Sequence, residues 1–175
     1  MRRLAFFAFA LVLPLQAMAA DVLAPVKVVM DLTVANWAAG SQGDKDLFSQ
    51  ELLGSNYSRD FAEKYRAASK FPAFEGSDSP FDYDVIVNGQ DGCPLQEISM
   101  VPAAPKDGVT DVDVKFKNTT CFGPEPEYQQ FRELHFSVIT EAGREVVDDI
   151  HPEVDEGKFG SVKADMVEIA KQTPQ

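Results

Sequence analysis

The chain has 175 residues, of which 16 are Lys or Arg and 28 are Asp or Glu, for a formal net charge of −12 at pH 7. Such a balance argues against nucleic acid and anionic membrane surfaces as partners, because both are gripped through Lys/Arg patches, and it suits a basic partner. Two cysteines and two histidines are too few for a metal centre or a Ser-His or Cys-His nucleophile to be expected, and no sequence motif points to a cofactor.

Residues 1–19 read as an export signal. Met1-Arg2-Arg3 gives a basic start, Leu4 to Leu15 an apolar run, and Ala17-Met18-Ala19 a small-x-small cleavage site. The run is too short to span a bilayer, and no later stretch is apolar enough for membrane insertion. The expected product is a single domain over 20–175, released into the periplasm after cleavage near Ala19. Losing two bases and no acid, it keeps 14 basic against 28 acidic residues, a net charge of −14.

Pro25 suits a first helical turn, and Val26, Val29, Met30, Thr33 and Trp37 recur at helical spacing up to a stop at Gly40. A short helix is expected over 46–53 and ended by Gly54. Another begins at Ser58 as N-cap, with Asp60 in its first turn and Phe61, Tyr65 and Ala68 on its apolar side. The Pro-, Gly- and Asp-rich stretch 71–92 contains Tyr83, Val85 and Val87 in alternation with Asp82, Asp84 and Ile86, which predicts a short strand before Asn88-Gly89.

From Cys93 to Cys121 the pattern folds back on itself about Asp107. Strands over 95–101 and 109–120 then set Ile98 against Phe116, Met100 against Val114, Glu97 against Lys117 and Cys93 against Cys121. A one-residue slip would break all four pairings, because strand side chains alternate with period two. In an oxidising compartment the two cysteines are expected to form a disulfide, which closes a loop of about 29 residues and is worth about 3–4 kcal/mol in the chain-entropy model. A last hairpin is expected from 131–140 and 145–151. Phe159, Val162, Met166 and Ile169 then predict a closing helix. Helices grouped before meandering strands imply an α+β domain with the helices packed on one face of the sheet.

At Asp82-x-Asp84 through Gln90-Asp91, and again at Val146-Val147-Asp148-Asp149-Ile150, the chain resembles a family of secreted bacterial proteins with the nuclear transport factor 2-like, cone-shaped α+β fold. The resemblance covers nearly all of 20–175 and implies a curved antiparallel sheet under N-terminal helices, an export route and no particular reaction. The chain departs from that pattern at Glu145, where a tryptophan is usual, and in its paired cysteines.

A cone of this kind can enclose a pocket between sheet and helices. Trp37, Tyr65, Phe116, Phe136 and Asp149 are the residues expected to line it. With a two-residue turn at Ala142-Gly143, Asp149 falls on the face of Phe136 and Val138; with one more turn residue, Asp148 does. A carboxylate on that apolar face must be hydrogen-bonded or paired, or have a raised pKa, as a general base would. His135 and His151 lie on the two strands of the same hairpin, so a His-Asp pair is one reading; a structural Asp bonded to a hydroxyl or backbone amide is the plainer one. Asp78, Asp82, Asp84 and Asp91 match no calcium loop. Three functions follow as expectations. The first is a non-enzymatic binding protein for a small apolar or amphipathic molecule, with a homodimer possible through the sheet face. The second is an immunity- or inhibitor-type protein that binds a basic periplasmic protein. The third is a small acid/base enzyme built on Asp148 or Asp149 with His135 or His151.

Overall fold

Among the described residues, serine hydroxyls set the starts of three of the four α-helices. The computed structural model describes residues 21–42 and 45–172, so the export-signal reading of residues 1–19 lies outside the described residues. Helix α1 (Leu23–Asn36) buries Val26, Val29, Met30 and Thr33 along one stripe, and the Thr33 hydroxyl donates back to the Val29 carbonyl at 3.0 Å. It stops before Gly40, where Asn36 turns its amide onto both backbone groups of Lys45.

The second helix is displaced from its expected span. Asp46 accepts from the Phe48 amide at 2.8 Å, and Ser49 caps the Leu52 amide, so α2 runs Gln50–Ser55 and contains Gly54. Short polar side chains that bond nearby amides favour turns and caps over helix interiors, which holds 46–49 outside the helix. Helix α3 (Arg59–Ala68) begins as expected, with Ser58 Oγ accepting from the Phe61 amide at 3.0 Å and Phe61, Ala62, Tyr65 and Ala68 buried.

No strand forms over 83–87. Asp84 bends the segment instead: its Oδ1 accepts from the Ile86 amide at 2.8 Å, and only Asp84 and Gly89 pair as an isolated bridge. Val85, Ile86 and Val87 are each 2% exposed, and three consecutive buried side chains are not what a half-buried strand gives.

Among the described residues five strands follow as an antiparallel meander in chain order: β1 (Gln96–Pro102), β2 (Val109–Lys117), β3 (Arg132–Glu141), β4 (Arg144–Asp155) and β5 (Lys158–Phe159). One face carries Val112, Val114, Phe116, Leu134, Phe136, Val138, Val147 and Ile150 into a core shared with the helices. The protein is therefore α+β, with an open five-stranded sheet. Asp107-Gly108 and Ala142-Gly143 make the two long hairpin turns with positive φ at both central residues, the left-handed geometry that matches strand twist.

Both long hairpins contain a bulge that alternation alone does not reveal. In the first, Met100 opposes Val114 as expected, but the register shifts between Gln96 and Ser99, where Glu97 adopts φ 52°, so Glu97 and Ile98 together span the position across from Phe116 and no regular Ile98–Phe116 pair forms. The expected Glu97–Lys117 ion pair still forms, at 2.8 Å. The Cys93–Cys121 disulfide is present, with Cα atoms 5.8 Å apart.

In the second hairpin Val138 opposes Val147, Asp148 is the extra residue, and Ser137 then opposes Asp149. Asp149 therefore shares a row with Ser137 and not with Phe136 and Val138, although the turn is the two-residue one. Phe159 pairs in β5 with Glu153, and the closing helix α4 (Val162–Ile169) starts later, capped by Ser161. Among the described residues no helix is long and apolar enough to cross a membrane.

Candidate functional site

The bulge sends the two β4 aspartates to different partners. Asp148 accepts from Ser58 Oγ at 2.7 Å and from Lys163 Nζ at 2.8 Å, and the same ammonium reaches Asp60 at 2.9 Å. One lysine thus ties the first turns of α3 and α4 to the sheet. Burial works against the charge on Lys163, but hydrogen bonds to Asp148 and Asp60 outweigh it and hold the ammonium above the usual lysine range. Hydrogen bonds from Lys64, then Lys163, hold the Asp60 carboxyl below the usual carboxylate range. Asp149, 7% exposed, accepts from Ser161 Oγ at 2.6 Å and from the amides of Ile150 and Lys163 at 2.8 and 3.0 Å. It is a second cap on α4. A carboxylate with its lone pairs so committed has little capacity left to take a proton from a substrate.

His135 and His151 are directly opposed on β3 and β4. His151 Nδ1 lies 2.8 Å from the Gly160 carbonyl, which can only accept, so that nitrogen carries a proton. Its Nε2 is 3.1 Å from Ser137 Oγ and 3.7 Å from Asp149 Oδ2, and Ser137 Oγ is 2.9 Å from Asp111 Oδ1. The bulge creates this Ser-His contact, which strand alternation did not foretell. β3 is the middle strand, its amides are committed to the β2 and β4 ladders, and Asp111 competes for the serine proton. His135 instead lies against the Phe159 ring, with ring centroids 3.9 Å apart.

The expected pocket residues are dispersed. Phe116 and Phe136 are fully buried in the shared core. Trp37 is half-buried, and its Nε1 donates to Asp84 Oδ2 at 2.8 Å. The chain passes so close to its ring at Gly92 that a Cβ there would lie 2.8 Å from Cζ3, so only glycine fits without a shift. Tyr65 alone of the five borders a described cavity, a hollow of about 530 Å³ that it shares with Phe48, Asp46 and Asp78. Burial, then Asp46, pushes its hydroxyl pKa up.

The larger opening lies elsewhere, a groove of about 640 Å³ at the end of the sheet. One wall is the segment between Cys121 and β3, which contains a short 3-10 helix (Pro126–Gln129) and contributes Phe122, Glu127, Tyr128 and Phe131, with Arg132 at the start of β3 beside them. The disulfide anchors its start. Thr119 Oγ1 donates to the Tyr128 carbonyl at 3.0 Å, Gln129 Nε2 donates to the Gly123 carbonyl at 2.9 Å, and Phe122 meets Tyr128 edge to face at 5.8 Å. The other wall is the β4–β5 hairpin, with Glu153, Val154, Asp155 and Glu156. Asn88 Nδ2 donates to the Glu153 carbonyl at 3.0 Å and braces that hairpin.

Sequence reasoning passed over this groove. The signal was there in Phe122, Tyr128 and Phe131, aromatics inside a Pro- and Glu-rich stretch where no strand alternation buries them. Comparison with known proteins adds nothing to this geometry: no family model, curated protein or solved structure matches the chain.

Proposed function

We propose that the protein is an exported, non-enzymatic binding protein whose partner is a basic polypeptide in the periplasm, in an immunity- or inhibitor-type role. The observation that carries this reading is the contrast between interior and surface. Phe116 and Phe136, expected around an interior ligand, are fully buried in the core, whereas acids outnumber bases by 28 to 16. Glu127 and Glu156 have no ion pair among the described residues. A surface so charged steers a cationic protein and repels nucleic acid and anionic lipid.

The acid/base enzyme reading has less support, because Asp148 and Asp149 are both taken up in capping and ion pairing. A disulfide supports an oxidising compartment, as does the basic and apolar start of the chain. Helices ahead of a meandering antiparallel sheet support the nuclear transport factor 2-like cone as the finer description of the fold.

Capture of partners from a bacterial periplasmic extract at low ionic strength, followed by a salt gradient and mass spectrometry, tests the function. The expected outcome is retention of one or a few proteins with isoelectric points above neutrality, released as salt shortens the Debye length below about 8 Å. Selective, salt-resistant retention of acidic proteins, or a small molecule that copurifies in native mass spectrometry, would overturn it.

A further inference from the structure

The groove between the disulfide-tied loop and the β4–β5 hairpin has a chemistry of its own. Phe122, Phe131 and Val154 are 51%, 43% and 60% exposed, and all three line it. Scattered exposed apolar residues need no explanation, but several converging in one concavity with carboxylates at its edge do. The two walls differ. The loop wall presents the rings of Phe122, Tyr128 and Phe131 with Glu127 and one cation, Arg132, beside them, whereas the hairpin wall is mainly acidic, so carboxylates outnumber lining cations. On the hairpin, Asp155 pairs with Lys158 and Glu153 accepts from the Gly157 amide, while Glu156, like Glu127 across the groove, has no ion pair among the described residues. One cation already rests on this aromatic set: Lys117 Nζ lies 4.8 Å from the Phe131 ring centroid.

From this geometry we infer that the groove seats an extended polypeptide segment in which arginine or lysine alternates with apolar side chains. The inference rests on the basic-partner reading above and names where and how that partner docks. An extended chain projects successive side chains to opposite sides. An alternating segment therefore turns its apolar residues onto Phe122, Tyr128 and Phe131 while its cations meet Glu153, Asp155 and Glu156. A basic side chain that crosses to the loop wall still finds Glu127 and ring faces that attract cations. A segment with its basic residues in one block satisfies one wall and leaves the other mismatched.

The test uses three fluorescent peptides of equal length: alternating arginine and leucine, the same composition as an arginine block followed by a leucine block, and alternating arginine and serine. Fluorescence anisotropy at low salt is expected to show the alternating arginine–leucine peptide binding about tenfold more tightly than either control. Phe131→Ser and the pair Glu127→Gln with Glu156→Gln should each erase that margin. Glu63→Gln, an exposed helical acid outside the groove, should leave it intact. Urea midpoints for every variant establish that each is folded. Equal binding of the three peptides, or equal losses from Glu63→Gln and the groove variants, overturns the groove assignment and leaves the basic-partner reading standing. No binding of any arginine peptide at low salt overturns both.

Discussion

Two sets of aromatic rings invite comparison. Phe48, Tyr57, Phe61, Tyr65 and Phe81 form a chain of contacts under the helices, with centroids between 4.7 and 6.5 Å apart, and each is at most 8% exposed. Phe122, Tyr128 and Phe131 form a second set at the surface, held by a disulfide and by side-chain bonds to the backbone. The inner rings stabilise by leaving water, at about 1.5–3 kcal/mol for each fully buried large apolar side chain. The outer rings contribute little of that kind. What keeps them in place is covalent and local, which is why they serve as the docking face in the proposal above.

The sharpest way to break the comparison is truncation of an inner ring. Phe61→Ala is expected to cost about 3–5 kcal/mol of unfolding free energy, read from urea denaturation. A loss below about 1 kcal/mol would mean the inner set is not the core it is taken for. Next comes the disulfide: Cys93→Ala with Cys121→Ala should cost about 2–4 kcal/mol and also weaken peptide binding, because the aromatic wall of the groove loses its anchor. If binding is unchanged in the folded double variant, the outer rings do not depend on that tie.

Asp149→Asn should cost about 1–3 kcal/mol, since an amide cannot accept from Ser161 and the Ile150 and Lys163 amides together without losing a bond. A catalytic role for Asp149 predicts the reverse pattern, lost turnover with an unchanged unfolding midpoint.

A smaller effect, about 1 kcal/mol, is expected for Lys163→Met, because the ion pairs it removes are only partly shielded from water. Its pH dependence gives a second readout. The lowered Asp60 pKa means that the unfolded chain takes up this proton first on acidification, so the contribution is present above the ordinary value of 3.8 and lost as pH falls through the lower folded value. The raised Lys163 pKa acts at the other end: its contribution is complete below 10.5 and lost as pH rises through the higher folded value. The variant should lack the alkaline loss and show a reduced acid one, with the remainder due to Lys64. Smallest of all, Phe131→Ser should change stability by less than about 0.5 kcal/mol, which separates its part in binding from any part in folding.

Local chemistry was legible from residues alone. Ser58 as a cap, the two glycine-containing hairpin turns, the Met100–Val114 pairing, the Cys93–Cys121 bond and the α+β order follow from side-chain reach, backbone sterics and alternation, which act over a few residues or across one turn. The bulges at Glu97 and Asp148 did not follow, because they depend on what lies on both sides of a strand. Asp148 is extruded where Ser58 and Lys163, far away in sequence, wait to bond it. Asp84 ended a predicted strand by bonding its own turn and the distant Trp37. The groove came mainly from two segments, 119–132 and 153–156, brought together by the pairing of β3 and β4, with Asn88 added from a third. Sequence by itself determined which elements could form. Long-range competition for hydrogen bonds and burial decided which face each acid took and which aromatic rings stayed in water.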